Sequence, residues 1–124
     1  MTTAAILMLI GRVILGLFFV IAGVRNLAAF ADRVATAKTV YGWQMPAPVV
    51  ALGFLMQLAG GLAVLFGVLT VWGALLLILF LVVATALFHN FLMFSGKDRD
   101  PHLYLTLVNT TLVGFCLMVI GLEL

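Results

Sequence analysis

The sequence predicts an all-α fold, an integral membrane four-helix bundle forming one domain over residues 1–124. Three observations carry that expectation. The chain is 66% hydrophobic and only 8% charged, with a mean hydropathy of +1.36. From Val49 to Met93 it carries no Asp, Glu, Lys or Arg; as one helix that stretch would be about 67 Å long, over twice the hydrocarbon thickness, so it must fold back. Short polar connections bound the apolar runs, leaving no room for a soluble domain.

The first span is expected over about residues 4–27, interrupted by Arg12 and by Arg25-Asn26. Ala29-Phe30-Ala31 has the form of a signal-peptidase site, but Met1 to Ile10 lack a basic leading region, so this span is read as retained. Residues Ala31 to Met45 form a polar, partly amphipathic connection whose Tyr41-Gly42-Trp43 cluster suits the water–lipid boundary. Pro46 and Pro48 open the second span (48–68), where a missing N–H costs little. The chain turns near Gly67–Gly73 and runs through a third span (72–93). It re-emerges at Ser95–Asp100, where Asp100-Pro101 is a good helix start for a fourth span (102–122).

Charge orients these spans. Arg33, Lys38, Lys97 and Arg99, with Arg25 close by, fall on the side of the first and third connections. The positive-inside rule therefore places segments 28–47 and 94–101 in the cytoplasm and both termini outside. The formal net charge of +2 is small and scattered, which argues against nucleic acid as a partner; the lipid bilayer is the partner the composition implies. With Cys116 alone, no intrachain disulfide or dithiol redox motif can form.

One strong polar side chain stands in each span: Arg12, Gln57, His89 and Asn109. A charge at mid-bilayer costs about 2.5–3.5 kcal/mol, so such residues are site candidates. Counted from the cytoplasmic end, His89 lies roughly 6 Å deep, Asn109 roughly 10 Å, Gln57 roughly 14 Å and Arg12 roughly 18–20 Å. Facing inward, the four would make a polar ladder lining one ligand pocket. The plainer readings stand beside it: Arg12 snorkels to the outer surface, Gln57 and Asn109 bond between helices, and His89, near a helix end, bonds a backbone carbonyl at the interface. Gly16, Gly23, Gly60, Gly61 and Gly114 are expected to be helix-packing positions. No catalytic constellation and no metal cluster is evident, and the spacing of His89 and His102 specifies no axial haem pair.

The order of these features resembles the DoxX family of small bacterial four-span membrane proteins. The likeness runs through Gly11-Arg12-Val13, Gly16-Leu17-Phe18-Phe19 and Ala22-Gly23, then Gly42 with Met45-Pro46-Ala47-Pro48. It continues through Gly60-Gly61, Phe88-His89-Asn90-Phe91, and Asn109 with Gly114. The resemblance implies a multi-pass location in a bacterial inner membrane, and an accessory or scaffold role in a quinone-linked or oxidative-stress redox system. Quinone is then the candidate cofactor, and membrane redox proteins and further copies of the chain are the candidate partners. A small oligomeric transporter or channel is the alternative, and stand-alone catalysis is not expected. The chain departs from the family's usual residues in three places: a glutamate where Gln57 stands, a lysine where Asn26 stands, and a lysine where Val108 stands. Losing an acid and its bases together avoids leaving an unpaired buried charge.

Overall fold

A computed structural model describes all 124 residues. Four long apolar helices and one short one follow in order, with no strands: α1 (Thr3–Ala28), α2 (Phe30–Thr39), α3 (Ala47–Phe66), α4 (Thr70–Phe88) and α5 (Arg99–Glu123). The four long helices are each long and apolar enough to cross a membrane. The first connection is not an open loop. It holds α2, a ten-residue helix with Asp32 in its first turn and Lys38 in its last, matching the helix dipole. Only Ala37 of α2 is buried.

The apolar run ending at Met93 overshoots its helix. α4 stops at Phe88, and Asn90 then accepts from the Leu92 N–H, closing a short 3-10 turn over Phe91–Met93. At the start of α5 a second 3-10 turn, Gly96–Asp98, feeds directly into the helix. Asp100 is therefore inside the first turn rather than capping it.

α1 packs on α3, α3 on α4, and α4 on α5. Leu15 and Phe19 of α1, Val64 of α3, Ala74, Leu77 and Leu81 of α4, and Cys116 and Val119 of α5 make one buried core. Elsewhere the large apolar side chains face outward: Ile14, Leu52, Leu79 and Leu117 are all more than half exposed. That distribution suits a bundle solvated by lipid, where helices gain nothing by hiding leucine from its own kind and close packing of small residues takes over.

Glycine makes the close approaches. A Cβ on Gly16 would sit 2.6 Å from the backbone of Leu65, and one on Gly61 would sit 2.9 Å from the Val20 nitrogen. Gly23 lies against Leu58 in the same α1–α3 seam, and Gly60 and Gly73 bring α3 onto α4. Gly114 is different: a Cβ there would meet open space, because its face of α5 turns away from the other helices. It is not a packing position within this chain.

Candidate functional site

Arg12, Gln57 and Asn109 each have a side-chain hydrogen-bond partner, and the placement of those partners separates the four residues expected to share a pocket. Arg12 lies opposite the end of α3. There the backbone turns sharply, with Gly67 left-handed at φ 70° and Leu69 also left-handed at φ 53°. The N–H of Gly67 and that of Val68 both go to the Ala63 carbonyl, leaving the carbonyls of Val64 and Leu65 for another donor. Arg12 Nη1 donates to both, at 2.6 and 3.2 Å. The last carbonyls of a helix have no partner within it, and a cation is favourable at that pole of the dipole. Arg12 thus caps α3 and lines neither of the two cavities described below. The nine residues of α1 before it, about 13 Å of helix, run on past the α3–α4 turn.

Gln57 is buried, and its Oε1 accepts from Asn26 Nδ2 at 2.9 Å across the α1–α3 seam. These are two of the positions where the family likeness leads one to expect opposite charges. Their contact explains why both can be neutral together: an amide pair keeps the hydrogen bond without burying an ion. Asn109 Nδ2 donates to Thr85 Oγ1 at 2.9 Å, tying α5 to α4. The two line a groove of about 300 Å³ with Asn90, Thr106 and Thr110.

His89 belongs to the end of the bundle that carries the connections. Its backbone carbonyl accepts from Thr106 Oγ1, and its ring lies 5.8 Å from that of His102. Phe94 stacks on His102 at 3.9 Å, and Tyr41 sets its edge to Phe88, Phe94 and His102. The Nδ1 atoms of both histidines are buried without a hydrogen-bond partner.

Beneath this aromatic cluster is the larger cavity, of about 330 Å³, between α3, α4, α2 and the end of α1. Its walls are mostly apolar, with Phe54, Phe80, Leu87 and Phe88 among them, and its polar lining is Asn26, Arg33, Thr36, Tyr41 and His89. Val49 and Val83 line it and are about half exposed, so it opens sideways towards lipid. Trp43 braces one wall: its N–H goes to Ala37, and its indole Nε1 donates to the carbonyl of Leu87 at 2.7 Å. Burial pushes the Tyr41 phenol above its ordinary value of 10, so it remains a hydrogen-bond donor at neutral pH.

The expected pocket is therefore divided. His89 lines the larger cavity, Gln57 stands behind its Asn26, Asn109 lines the groove across α4, and Arg12 is at the far end of α3. Arg33, Tyr41 and Phe80, which single-residue reasoning passed over, make more of the cavity than the four polar residues do. The signal for them was combinatorial: an amphipathic connection followed by an aromatic pair, facing a span with phenylalanine at 80 and 88.

The family model for DoxX matches residues 7–90, from the first turns of α1 to just past the end of α4. This chain belongs to the DoxX family. It is a multi-pass membrane protein of that family, and the matched region contains every residue lining the larger cavity. α5 lies beyond the match, so Asn109 and the α5 wall of its groove are outside it, while the α4 wall, with Thr85 and Asn90, is inside. No curated protein and no solved structure matches the chain.

Proposed function

We propose that this DoxX protein is an accessory membrane subunit of a quinone-linked redox system, and that the larger cavity holds the quinone headgroup. The observation that supports this most is the composition of that cavity. It combines aromatic walls, a side opening at Val49 and Val83, and donors gathered at the connection end. A quinone head is a flat apolar ring with two carbonyl acceptors, on a tail that stays in lipid. Arg33, Tyr41 and the second N–H of Asn26 offer donors to those carbonyls, while Phe54 and Phe80 offer ring contacts. When bound, the quinone supplies the electron-accepting chemistry; the chain binds and orients it for a partner protein.

A transporter reading has less behind it. Proton relays in membranes use Asp, Glu or His, and here all four acids lie at the ends: Asp32 in α2, Asp98 and Asp100 around the start of α5, and Glu123 at its last residue.

The binding test uses Trp43 as reporter, in a Trp72→Phe background, reconstituted in liposomes. A decyl-substituted benzoquinone is expected to quench Trp43 saturably, and Arg33→Ala to weaken binding about fivefold, the loss of roughly one hydrogen bond. Quenching that only rises linearly with quinone content would contradict the reading.

The orientation proposed is the one the charges favour, with α2 and the α4–α5 connection in the cytoplasm of a bacterial inner membrane. In a Cys116→Ser background, a cysteine at position 2 is expected to react with an impermeant thiol reagent in intact cells, and one at position 97 only after permeabilisation. The reverse pattern would invert the orientation.

A further inference from the structure

The groove between α4 and α5 is graded along its length. At the end nearer the α3–α4 turn its walls are Leu81, Val82 and Val113. Thr85, Asn109 and Thr110 follow, and Asn90 and Phe91 stand at the connection end. There the Arg99 guanidinium lies over the Phe91 ring, 5.2 Å from its centre. Val82 and Ala86 of α4 and Thr110 of α5 are exposed, so the groove opens on the lipid-facing side of the bundle. No residue lines both the groove and the larger cavity, which uses Val83, Ala84 and Leu87 from another face of α4.

The polar atoms of the groove are unequally committed. The hydroxyls of Thr106 and Thr110 donate to backbone carbonyls. The carboxamides keep donors in reserve. Asn109 gives one N–H to Thr85 Oγ1, and Asn90 uses its oxygen to accept from the Leu92 N–H. That leaves one N–H on Asn109 and two on Asn90 for an acceptor from outside the chain, and a donor shut away from water without one is costly. Lys97, Asp98 and Asp100 flank Arg99, so the turn carries no net charge. What it offers an anion is one guanidinium held on an aromatic ring, which suits a single charge-assisted contact rather than a diffuse basic patch.

A phospholipid presents the matching order of chemistry. Its phosphodiester lies at the water boundary, two ester carbonyls that accept hydrogen bonds lie just below, and hydrocarbon follows. We propose that the groove seats one phospholipid from the leaflet on the connection side. Its phosphate meets Arg99, its ester carbonyls take the free N–H groups of Asn90 and Asn109, and an acyl chain runs along Leu81, Val82 and Val113. The site is separate from the quinone cavity and does not depend on it.

Lipid adducts on the delipidated protein, followed by native mass spectrometry from detergent, test this. The probes share their acyl chains: phosphatidylethanolamine and phosphatidylglycerol carry the phosphodiester, and diacylglycerol lacks it. Wild-type protein is expected to take one phospholipid at least tenfold more tightly than diacylglycerol, the worth of one charge-assisted hydrogen bond. Arg99→Ala is expected to bring the phospholipids down to the level of diacylglycerol. Ala86→Leu, which adds bulk to the groove, is expected to weaken all three. Both positions are exposed, and thermal unfolding checks that each variant is folded. Arg33→Ala, which removes a cation from the other cavity, is expected to bind lipid as wild type. Diacylglycerol bound as tightly as the phospholipids, or phospholipid binding unchanged in Arg99→Ala and Ala86→Leu, would overturn the proposal. So would displacement of the lipid by the decyl-substituted benzoquinone, which would make the groove a quinone site. A dimer free of lipid adducts would overturn it as well, giving the groove to a second copy of the chain.

Discussion

Arg12→Ala is expected to destabilise the bundle by about 2–4 kcal/mol and to leave ligand binding intact. Removing the guanidinium leaves the part-buried carbonyls of Val64 and Leu65 without their donor, and each unsatisfied buried group costs about 1–3 kcal/mol. Relief from holding a charge in the membrane, about 2.5–3.5 kcal/mol, does not offset this, because separated inserted helices would carry the same charge. Arg12→Lys is expected to recover only part of the loss, since an ammonium is a point donor while the guanidinium fork is pre-organised. Unfolding in mixed micelles measures the first effect and Trp43 quenching the second. Wild-type stability with abolished quinone binding would instead make Arg12 a ligand contact.

The second large effect concerns Asn26 and Gln57. Gln57→Glu places a carboxyl at a site only 5% exposed, beside an amide that cannot neutralise it. Neutralising a carboxyl of ordinary pKa near 4.3 by protonation at pH 7 costs about 3.7 kcal/mol, which bounds the destabilisation. The loss is therefore expected to be large at pH 7 and above, and to shrink as the pH falls through the ordinary value near 4.3, below which the carboxyl becomes protonated in folded and unfolded chains alike. Adding Asn26→Lys supplies the opposite charge, and the double variant is expected to recover most of the stability at pH 7. A double-mutant cycle with no coupling between the two positions would mean that the 2.9 Å contact does not persist in the membrane.

These two sites show what the sequence could and could not convey. The four long helices were legible, because length and apolar composition alone fix them, and the glycine pairs at 16, 23, 60 and 61 already marked where backbones approach. That position 57 would meet position 26 was foreshadowed by the paired departures from the family's usual residues. Arg12 was misleading. Depth along its own helix placed it within a ladder, but its role is set by where α3 ends, and a sequence does not reveal the stagger between two helices. Gly114 misled in the opposite direction, since as a glycine within a span it groups with the packing glycines while its face points away from the other helices. His89 sits near the chemistry for a reason the chain hides: α4 stops at Phe88 and the 3-10 turn folds back, bringing His102 and Phe94 over the cavity.

The cavity owes its shape to the same logic. Tight glycine contacts hold α1, α3 and α4 together towards the turn, and the helices diverge where Gly53 and Ala84 replace bulk with space. Polar residues at the narrow end hold the bundle together. Those at the wide end, Arg33, Tyr41 and His89, are the ones left to meet a ligand.

The most direct test of that division is where a photoreactive quinone attaches. Irradiated in liposomes with an azido-quinone and digested, the protein is expected to carry the label on peptides containing Phe54 and Phe80, with protection by excess unlabelled quinone. Label concentrated around Arg12 and the α3–α4 turn, or spread evenly over the lipid-facing side chains of all four spans, would contradict the account.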